Sequence, residues 1–214
     1  MAKKDWKGNS KSIYTTLGAS NHVEEEREVN DYYATHPKAT EMLCNLEKFS
    51  DNILEPCCGQ GHISRVLEAR GYNVESMDLI DRGYGRGGVD FLQYNETVDK
   101  DIVTNPPYSL AQEFLEHAMD IVTDGHKIAM FLKLTFLESD GRKDMFKRYP
   151  PKKIWVSSNR IPCGKNGDFY QRDNNGNILY DRKNNPKEVS SAVCYAWFIW
   201  EKGHSGPIIV DLFN

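Results

Sequence analysis

Residues 51–78, DNILEPCCGQGHISRVLEARGYNVESMD, indicate a strand, a glycine turn, a helix and a second strand in succession. The first strand, over residues 51–56, stops at a proline. The helix begins after the glycine turn, carries Ile63 and Leu67 at helical spacing, and ends at Gly71, a residue type favoured just after helix C-termini. This order of strand, helix and strand is typical of a parallel α/β sheet.

The rest of the chain repeats the alternation of strands and helices. Residues 126–133, HKIAMFLK, are almost wholly apolar, as expected of a strand that is buried on both faces of a sheet. Further helices are predicted at residues 40–49, 110–123 and 140–149, and further strands at 101–104, 152–158 and 192–202. We therefore predict a doubly wound, mainly parallel α/β sheet, in which ligands bind outside the carboxyl ends of the strands.

Length and composition indicate one globular domain, residues 31–214, preceded by a polar arm, residues 1–30. The chain has 214 residues, and 39% of them are apolar, which is enough to build a buried core. This composition excludes wholesale disorder and the collagen-like and coiled-coil classes. Residues 1–30 are rich in Lys, Ser, Asn and Glu without periodicity, so we predict that they form a flexible arm.

The sequence lacks targeting, metal-binding and disulfide signals. No apolar run approaches the ~20 residues that span a bilayer, and the first residues lack the apolar segment of a signal peptide. A cytoplasmic protein without membrane contact is therefore expected. The five cysteines include no C-x-x-C pair, and the six histidines lack metal-ligand spacing, so we expect reduced thiols and no metal site.

Positive charge is concentrated in the last third of the chain. Residues 142–187 hold twelve basic and four acidic side chains, a net charge of +8, whereas the whole chain carries −4. Residues 159–190 are polar and rich in Gly and Asn, and we interpret them as an insert between two strands. A basic segment on an acidic protein fits either a phosphate-facing surface or a solvated loop, and charge alone leaves both open.

The glycine turn EPCCGQG, residues 55–61, lies at the exit of the first strand. Two glycines one residue apart allow a tight turn and the close approach of a ligand, and the following helix offers free N–H groups at its N-terminus. The third glycine that completes a dinucleotide fingerprint is absent. The turn therefore favours a nucleoside ligand over NAD, with a purely structural turn as the alternative.

Acidic residues follow the second strand at a distance typical of ribose-binding acids. Asp78 lies 23 residues after Glu55, and a carboxylate there can accept hydrogen bonds from both ribose hydroxyls. Asp81 is the nearby alternative. Asp90 offers an acceptor for an adenine amino group and Phe91 a ring to stack on the purine, although such residues are more often turn and core residues.

The most specific motif is NPPY, residues 105–108, directly after the strand DIVT. Prolines after a strand stop the sheet and fix the directions of the Asn105 side chain and the Pro106 carbonyl. Both oxygens are acceptors and can hold the two hydrogens of a planar NH2 group, while the Tyr108 ring stacks on the attached π-system. This arrangement favours the localised nitrogen lone pair of a transition state for nucleophilic attack. A Pro-Pro turn with an Asn cap is the structural alternative.

These motifs together resemble those of class I S-adenosylmethionine-dependent methyltransferases, and among them the DNA N6-adenine methyltransferases often encoded by phages and prophages. EPCCGQG is similar to the family's motif I and NPPY to its catalytic motif. The resemblance implies a Rossmann-like sheet of seven strands whose last strand, at residues 192–202, is antiparallel. It implies that S-adenosyl-L-methionine is bound by Glu55, Cys57, Gly59, Gly61, Asp78, Asp90, Phe91 and Asn105, with Tyr33, Thr35 and Pro37 at its methionine end.

The resemblance further implies that a target adenine is flipped out of DNA beside Tyr108. Asn105 and Pro106 are then the other catalytic residues, and Pro107 and Lys133 are expected on the substrate side.

The insert, residues 159–190, is shorter than the recognition domains of restriction-type enzymes. Because cations meet phosphates and bases stack on aromatic rings, it is nevertheless the segment expected to contact DNA. Its candidate residues are Arg160, Lys165, Phe169, Tyr170, Arg172, Tyr180, Arg182 and Lys183.

Three functions remain open on the sequence. Methyl transfer to the N6 amine of adenine in DNA, double- or single-stranded, is the leading hypothesis. The same NPPY chemistry would serve a protein glutamine amide or an RNA adenine, and a non-catalytic module that binds cofactor or DNA is the third alternative. The sequence predicts neither a recognition site nor an oligomeric state.

Overall fold

The computed structural model describes residues 32–159, 161–165, 167–189, 191 and 193–213. Within them the chain forms, in order, β1 (Tyr33–Thr35), α1 (Pro37–Leu46), β2 (Asn52–Glu55), α2 (His62–Ala69), β3 (Asn73–Ser76), β4 (Asp101–Thr104), α3 (Ala111–Ile121), β5 (Lys127–Lys133), α4 (Lys143–Arg148), β6 (Lys153–Ser157), β7 (Cys163–Lys165), β8 (Tyr195–Glu201) and β9 (Ile209–Phe213). None of these described helices is long and apolar enough to cross a membrane. The predicted arm, residues 1–30, and the candidate residue Arg160 lie outside the described residues.

Helix α1 begins three residues before its predicted start, at Pro37. His36 precedes it in an extended conformation, and the His36 Nδ1 accepts a hydrogen bond from the backbone N–H of Lys38 at 3.2 Å. Proline suits the first helical position because the N–H that it lacks would have no intrahelical partner there. The helix then buries Ala39 and Leu43 completely.

Seven strands form one mixed sheet in the order β3-β2-β4-β5-β8-β6-β9. Strands β3, β2, β4 and β5 are parallel neighbours, whereas β8 runs antiparallel to both β5 and β6. The predicted doubly wound, mainly parallel α/β sheet is thus confirmed, and β8 is the strand that was predicted to be antiparallel.

The antiparallel strand is not the last strand of the sheet, which corrects one detail of the prediction. Strand β9 follows it in the chain and pairs in parallel with β6 at the sheet edge. Ile209, Val210 and Leu212 are all exposed. This strand therefore lacks the alternation of buried and exposed residues by which a half-buried strand is detected in a sequence.

Strand β8 carries the two largest of the fully buried side chains among the described residues. Trp197 and Trp200 are fully buried and, being three residues apart in a strand, they face opposite sides of the sheet. Trp197 Nε1 donates to the backbone carbonyl of Ala39 in α1, and Trp200 Nε1 donates to that of Tyr149 after α4, each at 3.0 Å. Each face of the sheet is thus covered, and each buried indole N–H has a partner.

A second, two-stranded sheet joins the start of the domain to the insert. Strand β1 pairs antiparallel with β7, so that Tyr33 lies opposite Lys165 and Thr35 lies opposite Cys163. After β7, residues 170–188 fold back on themselves through three isolated antiparallel bridges. The start of the predicted insert is therefore held against the first described strand of the chain.

Candidate functional site

The candidate site is a cavity at the carboxyl ends of β2, β3 and β4. It encloses about 950 Å³ of space, part of it open to solvent. Nine residues that were predicted to contact cofactor or substrate line it: Tyr33, Thr35, Glu55, Cys57, Asp78, Asp90, Phe91, Asn105 and Pro107. Nucleotide sites of doubly wound sheets lie at such strand ends.

The glycines of the EPCCGQG turn shape the loop and do not line the cavity. Gly59 and Gly61 have φ values of 53° and 82°, which side chains other than glycine rarely adopt. A Cβ at Gly59 would lie 2.5 Å from the Tyr32 ring, and one at Gly61 would lie 2.6 Å from the Tyr84 ring. These glycines therefore admit tyrosine rings at close range, where a ligand had been predicted. Pro37 also lies away from the cavity wall, at the start of α1.

Glu55 is a buried carboxyl group at the end of β2, with an exposed fraction of 1%. The hydroxyl of Ser64 in α2 donates a hydrogen bond to it, and the same hydroxyl lies 2.7 Å from that of Ser76. Burial raises the pKa of Glu55 to about 8, although the Ser64 hydrogen bond opposes the shift. Glu55 is therefore largely protonated at neutral pH, and a cation bound in the cavity would favour its ionisation.

Asp78 joins the glycine turn to the loop after β3. Its Oδ2 accepts from the backbone N–H of Gly59 and its Oδ1 from that of Ile80, each at 2.8 Å. Each carboxylate oxygen keeps acceptor capacity for a ligand. Asp81, the alternative ribose acid, caps its own turn through the N–H of Gly83 and does not line the cavity.

The sequence reasoning missed the apolar pair that follows Asp78. Leu79 and Ile80 line the cavity with exposed fractions of 56% and 36%, which is unusual for large apolar side chains beside an enclosed site. They offer a surface for a planar heterocycle. The available signal was their position directly after a carboxylate at the end of a strand.

Phe91 forms the floor of the cavity and is not a free stacking surface. Only 2% of it is exposed, because its ring packs 5.3 Å from that of Phe114 and 5.1 Å from that of His117. Asp90 is exposed, and its Oδ1 accepts from the N–H of Leu92 and so caps the 3₁₀ turn that begins at Phe91. Stacking of a purine on Phe91, as predicted, would thus require the ring to leave its core contacts.

The side chain of Asn105 is locked in one orientation at the cavity wall. Its Nδ2 donates a hydrogen bond of 2.7 Å to the backbone carbonyl of Tyr33 in β1. Since Nδ2 is occupied, Oδ1 is the atom of this amide that remains to accept a hydrogen bond. Pro106, the next residue, is buried, and Pro107 lines the cavity.

The Tyr108 ring lies between two other tyrosines beside the cavity. Its centroid is 6.1 Å from that of Tyr33 and 5.9 Å from that of Tyr195. Lys133, predicted on the substrate side, places its Nζ 4.8 Å from the Tyr108 centroid, within the range of a cation–π contact. The Tyr108 hydroxyl lies 3.3 Å from Cys163 Sγ. Burial raises the pKa of Tyr108 well above its usual value.

Two polar groups in the cavity wall lack a partner among the described residues. Thr35 has an exposed fraction of 2%, and its Oγ1 makes no hydrogen bond there. The Nη1 of Arg82 is likewise buried and unpaired, while the guanidinium lies 4.3 Å from the centroid of the Tyr32 ring. Buried polar groups normally have partners, so both atoms are available to a polar ligand in the cavity. Arg82 carried no motif by which the sequence could have identified it, whereas Tyr32 directly precedes Tyr33 in the segment that the resemblance associates with the cofactor.

The insert is anchored to the domain by Phe169. Its ring lies 4.9 Å from that of His36 and 5.4 Å from that of His62, and only 8% of the residue is exposed. Burial lowers the pKa of both histidines, which keeps them neutral against the phenyl ring. Phe169 is therefore an anchor and, in this position, cannot stack on a base as predicted. Tyr170 lies next to it and is half-buried.

The charge of the basic region is partly neutralised. Lys152 pairs with Glu201 at 2.6 Å, Lys153 pairs with Glu47 at 3.4 Å, and Arg172 pairs with Asp168. Lys165 belongs to β7, and its side chain lies outside the described part of the structure. Tyr180, by contrast, is 53% exposed, and Arg182 and Lys183 are exposed on the loop that follows it.

Within the described part of the chain, no group of three or more His, Cys, Asp or Glu side chains is arranged to hold a metal ion. The five cysteines are free thiols.

Comparison with known proteins identifies the fold. No family model and no curated protein matches the chain. Among solved structures, it is similar to a provisionally assigned RNA methyltransferase from Pyrococcus horikoshii, with 12% identity over 92% of this chain and 99% of that chain and a TM-score of 0.52. It is also similar to a provisionally assigned class I S-adenosylmethionine-dependent methyltransferase from Listeria monocytogenes, with 12% identity over 94% of this chain and 71% of that chain and a TM-score of 0.52. A third similar structure is the type IIG restriction endonuclease BpuSI, with 15% identity over 90% of this chain and a TM-score of 0.52. The match covers 27% of that longer chain. The chain has the class I methyltransferase fold.

Proposed function

We propose that this protein transfers a methyl group from S-adenosyl-L-methionine to the exocyclic N6 amine of adenine in DNA, as do the phage-type enzymes that its motifs resemble. The observation that carries the proposal is the fixed amide of Asn105. Its Nδ2 is held by the Tyr33 carbonyl, so its Oδ1 remains as an acceptor next in the chain to the Pro106 carbonyl. An amide oxygen fixed at the cavity wall, with a second acceptor on the next residue of the chain, suits an NH2 group better than it suits a hydroxyl or a thiol nucleophile.

The cavity fits the cofactor in several respects. Asp78 would accept hydrogen bonds from the ribose hydroxyls, and Leu79 and Ile80 would contact the adenine ring. The unpaired hydroxyl of Thr35 and the unpaired Nη1 of Arg82 would find partners among the polar groups of the ligand. When bound, S-adenosylmethionine supplies a methyl group that is activated by its sulfonium.

The residues of this chain act on the amine by positioning it. Asn105 Oδ1 and the Pro106 carbonyl would accept its two hydrogens, and the Tyr108 ring would hold the heterocycle in place by stacking. These hydrogen bonds favour a lone pair localised on nitrogen, which the transition state requires. Asn105 Oδ1 and the Pro106 carbonyl would hold the amine while it takes up the methyl group that S-adenosylmethionine supplies, and the amine would then release one proton to solvent. The reaction needs no general base in the cavity.

Two features support nucleic acid as the partner. Lys133 places a cation 4.8 Å from the centroid of the Tyr108 ring, close enough to the NPPY motif to meet a phosphate of a bound nucleotide. The insert presents Tyr180, which is more than half exposed, beside Arg182 and Lys183. An exposed ring next to two cations suits stacking on a base with charge contacts to the backbone.

A substrate panel tests the proposal. Purified protein is incubated with methyl-labelled S-adenosylmethionine and one of four substrates: unmethylated duplex DNA, the same sequence as single strand, the same sequence as RNA, and a glutamine-containing peptide. We expect label in DNA, recovered as N6-methyladenine after digestion and mass spectrometry. The matched control is a duplex in which adenine is replaced by the base purine, which lacks the exocyclic amine. This duplex should stay unlabelled.

The other outcomes of the panel overturn specific parts of the proposal. Label in RNA or peptide but not in DNA would reject DNA as the substrate. It would leave in place the proposal that the NPPY motif positions an NH2 group for methylation. Cofactor binding without label in any substrate would reject enzymatic turnover and favour a non-catalytic module.

A further inference from the structure

We propose that Cys163 is a positioning residue that holds the Tyr108 ring in place beside the catalytic Asn105. The Cys163 Sγ lies 3.3 Å from the Tyr108 hydroxyl, within hydrogen-bonding distance for sulfur. These two residues are 55 positions apart in the chain. The inference rests on the proposed function, since it concerns how the ring that would stack on the target base is kept in place.

The two strands of the small sheet each hold one part of the NPPY motif. In β1, the Tyr33 carbonyl accepts the hydrogen bond from Asn105. In β7, Cys163 contacts Tyr108, and its backbone pairs with Thr35 of β1. The amide and the ring are thus fixed by one rigid pair of strands. Because β7 lies within the insert, the segment proposed to contact the target and the NPPY motif share this support.

The environment of the contact keeps both groups neutral and ordered. Burial raises the pKa of Cys163 to about 11, and burial also raises that of Tyr108. A thiol and a phenol that are both protonated can share a hydrogen bond without a charge. Tyr195 packs against Tyr108 at 5.9 Å and stacks in turn on Phe131 at 5.3 Å, so the core supports this pair on the side of Tyr195.

Replacement of the thiol separates positioning from catalysis. We expect Cys163→Ala to raise the KM for DNA about fivefold, the loss that corresponds to one neutral hydrogen bond. The turnover number and the dissociation constant of the cofactor should stay within about twofold, because no reacting atom is touched. Cys163→Ser, which keeps a hydrogen-bonding group, should have a KM for DNA close to that of the wild-type protein. Cys44→Ala, at a partly buried cysteine of α1, is the matched control and should not change it.

A double-mutant cycle makes the test specific for the contact. In a Tyr108→Phe background, which keeps the ring and removes the hydroxyl, Cys163→Ala should raise KM by clearly less than it does in the wild-type protein, because only the Cys163 contact with Tyr195 is then left to lose. Additive effects of the two substitutions would overturn the inference, as would an unchanged KM in Cys163→Ala alone.

A spectroscopic measurement keeps this test independent of the proposed activity. In protein labelled with ¹³Cζ-tyrosine, the Tyr108 signal, assigned with Tyr108→Phe, should shift in Cys163→Ala and return towards its original position in Cys163→Ser. An unmoved signal would reject the positioning role even in an active enzyme. Failure of the wild-type protein to methylate any substrate would instead reject the proposed function and leave this measurement valid.

Discussion

The side chain of Asn105 donates its hydrogen bond to the carbonyl of Tyr33, a residue 72 positions earlier in the chain. Tyr33 belongs to a three-residue strand that is not part of the main sheet, and its ring also stacks near Tyr108. The segment that the resemblance associates with the cofactor therefore fixes the group that would hold the target amine. On the proposed function, the cofactor and target sites would meet at this hydrogen bond, and the first prediction concerns its donor.

Asn105→Ala should lower the rate of methyl transfer by at least about a hundredfold, the usual cost of removing one preorganised hydrogen-bonding group from a transition state. Cofactor affinity should stay within about twofold, because the other predicted cofactor residues in the cavity wall remain in place and the amide oxygen would act mainly on the amine. Single-turnover kinetics and equilibrium dialysis measure the two quantities. Asn52→Ala, at an exposed asparagine that begins β2, is the control and should retain full activity. Equal losses of rate and of cofactor affinity would contradict the assigned role.

Thr35→Val should weaken cofactor binding about tenfold without destabilising the protein. The Thr35 hydroxyl is buried, lines the cavity and has no partner among the described residues, so its loss removes no hydrogen bond from the free protein. A ligand that satisfies the hydroxyl would lose that bond in the variant, at a cost of about 1.4 kcal/mol for a tenfold change. Calorimetric titration with S-adenosylmethionine measures the effect.

The chain offers a matched control for this threonine. Thr40 in α1 is also fully buried with an unpaired Oγ1, but it does not line the cavity. Thr40→Val should therefore resemble Thr35→Val in unfolding free energy and leave cofactor affinity unchanged. If both variants bind the cofactor equally well, Thr35 has no ligand contact.

Sequence patterns could identify the parts of the site that lie close together in the chain. The EPCCGQG turn, Asp78 and NPPY each follow a strand whose apolar run is visible in the sequence, and each was located from that position. The sheet followed from the same alternation. The boundaries differed by a few residues, as at Pro37, because a local capping contact decides where a helix begins.

Contacts between distant segments could not be read from the sequence. Phe169 was predicted to contact DNA, but its ring packs against His36 and His62, which lie more than 100 positions earlier in the chain. Arg82 likewise derives its place in the cavity from the Tyr32 ring, and no residue pattern near Arg82 records that contact. Such pairs depend on how the elements pack, whereas propensity and spacing report only on the elements themselves.

Glu55 should give the protein a pH-dependent stability that Glu55→Gln removes. Burial raises its pKa in the folded state to about 8 from the ordinary value of 4.5. The folded protein therefore binds more protons than the unfolded chain between these values, and the contribution of Glu55 to stability, fully present below pH 4.5, is lost as pH rises through 8. Within this window the unfolding free energy should fall relative to Glu55→Gln by about 1.4 kcal/mol per pH unit. Urea unfolding at several pH values measures the difference, and parallel curves for the two proteins would contradict the shifted pKa.

Tyr180→Ala and Phe169→Ala should separate DNA contact from anchoring of the insert. Tyr180 is 53% exposed, so its removal should change the unfolding free energy by less than about 0.5 kcal/mol. If its ring stacks on a base, affinity for single-stranded DNA should fall about tenfold, within the range measured for such contacts. Phe169 is 8% exposed between two histidine rings, and its removal should cost about 3 kcal/mol of stability.

The two variants should therefore differ in which property they change most: DNA affinity in Tyr180→Ala and stability in Phe169→Ala. Thermal denaturation and fluorescence anisotropy with labelled oligonucleotides give stability and affinity for each. Tyr180→Ala should bind DNA weakly while melting like the wild-type protein, and a second variant, Tyr180→Phe, should recover the affinity because it keeps the stacking ring. A Tyr180→Ala protein with unchanged affinity would show that the exposed ring is not a base contact. An equally stable Phe169→Ala protein would show that the insert is held by its strand pairing with β1 and not by the phenyl ring.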